Sequence, residues 1–212
     1  PDYSLWWIWG LHLQYMHTGD EELLHRLYPQ ALRVFDGHLD FLNDDGLVEN
    51  MPYWVFIDWA HTDRRGVCTA YNGVFYMALE KLKAMAEIRG DQYAVESIDS
   101  VMIKIKENFH AVCYDPDRKC YADAVIDGEF SELVSEHGNM AAIAAGLCDD
   151  KTGDEIIKLI FESDTDLKFT EAQPFFFTAV QHALNRAGRF DLALKLTKDR
   201  YGKRMVDKGY HS

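Results

Sequence analysis

The sequence predicts an all-α fold, a toroid of helical hairpins in which inner and outer helices alternate. Three observations lead there. Apolar residues recur at helical spacing along nearly the whole chain, turns within hairpins are short and marked by glycine, and links between hairpins are long and aromatic.

The first hairpin begins with Leu5, Ile8, Trp9, His12, Leu13 and Met16, which share one helical face before Thr18-Gly19-Asp20. Gly19 suits the left-handed position after a helix, and Asp20 suits the N-cap of the next. That second helix has an apolar face of Leu23, Leu24, Leu27, Ala31, Val34, His38 and Leu42. The same punctuation returns at Arg89-Gly90-Asp91, between a helix from about Cys68 to Ile88 and one running to about Phe109. A third hairpin has a helix from about Ser135 to Leu147, a turn through Asp149 to Gly153 and a helix to about Phe161. The fourth turns at Ala187-Gly188-Arg189, between a helix from about Glu171 and another from about Phe190. An open superhelix of hairpins is the alternative, but it predicts a fixed period near ~34 residues. The turn glycines Gly19, Gly90 and Gly188 are unevenly spaced, so a ring fits better. A ring also places the links at about 43–66, 113–134 and 163–170 at one end, where loops on a rigid scaffold carry function.

The 212 residues fit one domain spanning 1–212, long enough to bury roughly 70% of the unfolded surface. The net charge of −13, with no basic run, excludes nucleic acid and anionic membranes as partners. No stretch approaches the ~18 consecutive apolar residues of a membrane span. The opening Pro-Asp-Tyr-Ser has neither a basic segment nor an initiator Met, so a soluble chain beginning mid-protein is expected. Cys68, Cys113, Cys120 and Cys148 form no CxxC pair and read as reduced core thiols. A disulfide across the turn between Cys113 and Cys120 is the alternative. No ligand-spaced set of His, Asp and Glu suggests a metal, and no cofactor is expected.

The aromatic content, 5 Trp, 11 Tyr and 12 Phe, concentrates chemically in the segment from Asn50 to Gly66. Sugars present apolar C–H faces rimmed by hydroxyls, so a site for them pairs aromatic platforms with carboxylates. Trp54, Asp58 and Trp59 supply those types within a few residues. The alternative is that Tyr53 to Phe56 plug the end of the core while Asp58 caps the next helix. Asp63 beside Arg64 reads as a local ion pair. Ser135 and Glu136 suit a helix start, after which His137 and Asn139 would face the toroid mouth. Glu171, Gln173 and Phe175 would take corresponding places on the next inner helix. A glycosidase needs two carboxyls flanking the scissile bond, and the link positions offer Glu49, Asp58, Asp63, Glu136 and Glu171.

Pro1 to Trp7, the turn Tyr15-Met16-His17-Thr18-Gly19-Asp20, the Asp58-Trp59 loop and the ending from Tyr201 to Ser212 follow one another as landmarks of a known domain. In that order they resemble the bacterial α-L-rhamnosidase catalytic domain. The resemblance implies an (α/α)6 toroid with about four of six hairpins present, and an inverting hydrolase of terminal α-L-rhamnosides in the parent protein. It places the general acid in an Asp-Cys-Pro-x-Arg-x-Glu segment upstream and the general base in a Trp-Glu pair downstream. No catalytic residue is therefore assigned within the chain. Trp54, Asp58, Trp59 and His137 are expected to bind substrate, with Ile57 standing where the family more usually has Gly. The expected partners are a carbohydrate and the remainder of the chain's own catalytic domain. A non-catalytic carbohydrate-binding or scaffold module, or another (α/α)6 glycosidase, is the alternative.

Overall fold

The computed structural model describes residues 2–210; Pro1, His211 and Ser212, at the ends of two landmarks, lie outside the described residues. Four antiparallel hairpins follow in order: α1 (Asp2–Thr18) with α2 (Glu21–Leu39), α3 (Thr69–Arg89) with α4 (Gln92–Cys113), α5 (Glu136–Ala144) with α6 (Asp150–Phe161), and α7 (Phe177–Arg186) with α8 (Phe190–Thr197). A π-helix, Lys198–Lys203, and a 3-10 turn, Val206–Lys208, follow.

Helix α3 packs between α1 and α5, and α5 between α3 and α7, so these four form the inner arc. Burial separates inner from outer helices in the last three hairpins, most sharply in the third. In α5 eight of nine residues are buried, whereas α6 buries only Gly153, Ile156 and Ile157. The helices α3 and α5 approach closely at Gly73, where an added Cβ would lie 2.7 Å from the Ala141 Cβ. Two small residues thus set the spacing of the ring wall. Aromatic side chains of α1 meet those of α7 and of its N-cap across the bore, Trp9 with His182 at 4.6 Å and Trp6 with Phe176 at 6.1 Å. Much of the aromatic excess fills this bore and its mouth.

The turn chemistry follows the sequence reading. Gly19, Gly90 and Gly188 have φ of 66°, 67° and 68°, and Asp20 and Asp91 cap α2 and α4 by accepting from the Leu23 and Ala94 N–H groups. Ser135 caps α5, accepting from the Gly138 N–H at 3.5 Å. Around the turn that follows α4, β2 (Tyr114–Asp115) pairs with β3 (Cys120–Tyr121). All four cysteines remain free thiols, so the Cys113–Cys120 alternative falls away. Burial pushes Cys68, Cys113 and Cys120 up to about 12. A small sheet joins β1 (Val67–Cys68), β4 (Ala124–Ile126) and β5 (Glu129–Phe130) across two links.

Three expectations need correction. Helix α7 starts at Phe177, not near Glu171, because Pro174 disfavours a helical Gln173 and buried carboxylates hold the Ala172 and Gln173 N–H groups in a non-helical strap. Helix α2 ends at Leu39, and Leu42 instead bridges to Val48. On α1 the buried stripe is Leu5, Ile8 and Leu11, while Leu13 and Met16 are exposed on a flank that no described helix covers.

Candidate functional site

The three links meet at one end of the arc and are bonded to one another. Ser131 Oγ donates to Asp63 at 2.8 Å, Ser135 Oγ to Asp123 at 2.6 Å, and Thr170 Oγ1 to the His61 carbonyl at 3.0 Å. A parallel bridge joins Ser135 to Thr170. These contacts make the mouth of the toroid a single surface.

The first link builds its wall. Ile57 sits at φ 56°, in the left-handed region that costs a β-branched residue about 1–2 kcal/mol and glycine nothing. Position 57 therefore asks for the geometry glycine takes freely, and Ile57 is held there by burial and by Asp2. The Asp2 carboxylate, at the start of α1, accepts from the Phe56 N–H at 3.0 Å and the Ile57 N–H at 3.1 Å. Arg64 fixes the other side of the loop. Its guanidinium donates to the carbonyls of Val55, Asp58 and Ala60 and to Thr62 Oγ1. The ion pair expected between Asp63 and Arg64 is formed by Arg65 instead, at 2.8 Å.

Asp58 is the node of this end. It is 1% exposed. Its Oδ1 accepts from the Trp59 N–H at 2.9 Å, and its Oδ2 accepts from the Gln173 N–H at 2.7 Å and from His137 Nε2 at 3.0 Å. An aspartate accepting from Nε2 sets the proton on that nitrogen. Asp58 does not cap a helix, because its donors come from its own loop, from α5 and from the strap.

Above the node stand the rings. Trp59 is 79% exposed and Trp54 71%. Both pack on buried Phe56, with ring centroids 5.0 Å and 5.4 Å away. Tyr3 backs the same ring at 5.7 Å and stacks on Phe175 of the strap at 4.9 Å. Of the four residues expected to bind substrate, the fold thus brings Trp54 and Trp59 to the surface. Asp58 and the fully buried His137 lie beneath them.

The other four candidate carboxylates, Glu49, Asp63, Glu136 and Glu171, are committed to internal partners. Glu49 accepts from Asn43 at 3.2 Å. Glu136 takes a two-pronged contact from Arg200 at 2.8 and 2.6 Å, and Glu171 one from Arg204 at 2.6 and 3.1 Å. Asp63 is held down at about 2 by the Arg65 guanidinium, with the Ser131 hydroxyl adding to it against burial. Its neighbour Asp123 is pushed up by burial.

A carboxyl depressed below the ~3.9 of an unfolded aspartate stabilises the fold above that pH and loses its contribution as protons bind it in the folded state. Asp63→Asn is therefore expected to remove the part of acid unfolding that falls between about pH 4 and about pH 2. Urea midpoints measured across that range check it; an unchanged slope refutes the assignment.

Asp2, Arg64 and Arg200 are the site-building residues the sequence reading missed. Arg64 sat in the singled-out segment, but adjacency favoured the wrong partner. Arg200 lies 64 positions from Glu136, and no local pattern joins them.

Among the described residues no helix is long and apolar enough to cross a membrane, and no group of three or more His, Cys, Asp or Glu side chains is placed to hold a metal ion.

A GH78 family rhamnosidase of Bacillus sp. GL1 superposes with a TM-score of 0.83 at 26% identity, over 94% of this chain and 21% of that one. A rhamnosidase from Klebsiella oxytoca with rhamnose bound superposes with a TM-score of 0.84 at 23% identity, over 98% and 39%. The chain thus spans well under half the length of either solved protein. Its fold is the all-α six-hairpin toroid, with about four of the six hairpins present. The family described as the bacterial alpha-L-rhamnosidase 6 hairpin glycosidase domain matches residues 4–201. By that match the chain belongs to the bacterial α-L-rhamnosidase six-hairpin glycosidase family.

Proposed function

We propose that this chain forms the sugar-binding wall of a glycoside hydrolase acting on terminal α-L-rhamnosides, by an inverting acid/base mechanism whose acid and base lie outside these residues. The observation that carries the reading is Trp59, exposed to 79% yet fixed in backbone by a buried carboxylate that also binds α5 and the strap. An exposed indole on a rigid loop is a preorganised platform for the apolar face of a sugar. A deoxy-sugar with a methyl at C6 suits the aromatic surface that Trp54, Phe56 and Trp59 share. In this reading Trp54 and Trp59 touch the sugar, while Asp58 and His137, buried beneath them, hold the Trp59 loop in place.

That acid and base lie elsewhere is supported by the five candidate carboxylates, Glu49, Asp58, Asp63, Glu136 and Glu171, each of which already serves an internal donor. Of the arginines near the mouth, Arg65, Arg200 and Arg204 are matched by Asp63, Glu136 and Glu171, and Arg64 is taken up by four oxygens of its own loop, which favours a neutral sugar over a uronate.

Isothermal titration of the full-length protein with L-rhamnose tests the wall. Trp59→Ala is expected to weaken binding by about 1–3 kcal/mol, on the order of what a nucleic-acid base gains by stacking on an aromatic side chain; unchanged affinity would sink the reading. The 212-residue chain alone is expected to release no p-nitrophenol from its α-L-rhamnoside, and robust release would place the catalytic carboxyls within it.

A further inference from the structure

The strap from Glu171 to Phe176 hangs from two carboxylates. Two successive N–H groups at its start, before the turn at Pro174, are each taken by a buried carboxylate. Here the Ala172 N–H reaches Glu136 Oε2 at 3.0 Å and the Gln173 N–H reaches Asp58 Oδ2 at 2.7 Å. Glu136 and His137 are neighbours on the first turn of α5, and His137 holds the same Asp58 oxygen. Both ends of this bridge therefore start from α5, and Asp58 in turn fixes the Trp59 N–H.

Glu136 could not play this part as a bare buried anion, since an uncompensated charge in the interior is strongly disfavoured. Its countercharge comes from the π-helix that follows α8. Arg200 forks onto both Glu136 oxygens, and the two side chains are 10% and 6% exposed. The guanidinium lies 5.2 Å from the centre of the Phe177 ring. Around it, Tyr201 Oη donates to the Pro174 carbonyl at 3.1 Å, and Arg204 holds Glu171. A π-helical turn, rare in itself and frequent at functional sites, aims this set at the strap.

We infer that Arg200 is a positioning residue for the sugar-binding wall. By neutralising Glu136 it keeps the strap on its two carboxylates, and through Gln173 and Asp58 it sets the orientation of the Trp59 loop. The inference rests on the proposed function for what the wall binds, but its mechanical part stands apart from it.

The test combines amide hydrogen exchange with rhamnose titration in the full-length protein. Arg200→Met is expected to raise exchange tenfold or more at Ala172, Gln173 and Trp59, while Leu79 and Leu82 in α3 keep their protection. Rhamnose affinity is expected to fall on the order of tenfold, because a binding group must be held within about half an ångström of its productive geometry. Arg200→Lys, which keeps the charge without the fork, should fall between the two. The double variant Glu136→Gln with Arg200→Met removes the buried charge, keeps an oxygen for Ala172, and should recover most of the protection and affinity. Exchange that rises uniformly, or a confined rise with unchanged rhamnose affinity, overturns the inference. If the unaltered protein binds no rhamnose, the sugar reading fails; the positioning role is then judged on the exchange pattern alone, and no rise at Gln173 and Trp59 overturns it. Should Arg200→Met not fold, Arg200→Lys and the double variant decide by the same pattern.

Discussion

Asp58→Ala is expected to cost roughly 3–5 kcal/mol, because it strands one buried and two part-buried donors at about 1–3 kcal/mol each, partly relieved by water entry. The donors are the N–H groups of Trp59 and Gln173 and the Nε2–H of His137. They belong to a loop, a strap and an inner helix, so one truncation loosens three segments together. Asp58→Asn keeps one accepting oxygen and loses the negative charge, and it should cost about half as much. Urea unfolding of both variants gives the comparison. A loss under about 1 kcal/mol for Asp58→Ala would mean that water replaces the carboxylate without penalty, and that the node does not fix the wall.

Phe56→Ala is the second large effect, expected at about 3–5 kcal/mol for a buried phenyl ring. Phe56 supports exposed Trp54 and Trp59 from below and is itself backed by Tyr3 and Phe175. Removing it should therefore lower stability and also abolish rhamnose binding. Phe56→Leu keeps most of the volume and should cost less than about 1.5 kcal/mol. Unfolding midpoints read beside the tryptophan emission maximum separate the two effects. A Phe56→Ala protein with native emission and native rhamnose affinity would show that the two indoles hold their positions without the shared ring.

The parts of this architecture that local chemistry governs could be read in the sequence. Gly19, Gly90 and Gly188 terminate helices, Asp20, Asp91 and Ser135 begin them, and the long aromatic links gather at one end. Family identity was also legible, through landmarks spread along the chain and matched over residues 4–201. The fourth hairpin's start was not, because a helix-like run at Glu171 to Phe175 is overridden by Pro174 and by carboxylates 36 and 115 positions away. The node was half legible. Asp58 and His137 were each singled out, but the 3.0 Å bond between them joins positions 79 apart. Arg64 shows the limit most plainly: a sequence neighbour suggested Asp63 as its partner, whereas the folded loop offers four oxygens in better geometry.

The Asp2 carboxylate holds the Phe56 and Ile57 amides across more than fifty intervening residues, and Asp58 gathers partners from farther still. Contacts of such separation form only after the entropy of closing long loops has been met. Helical turns and hairpins can form early from local signals, but the wall needs α1, α5 and the strap to be docked first. The surface around Trp59 is thus expected to be the last part of the molecule to mature during folding and, under mild denaturant, the first to come apart.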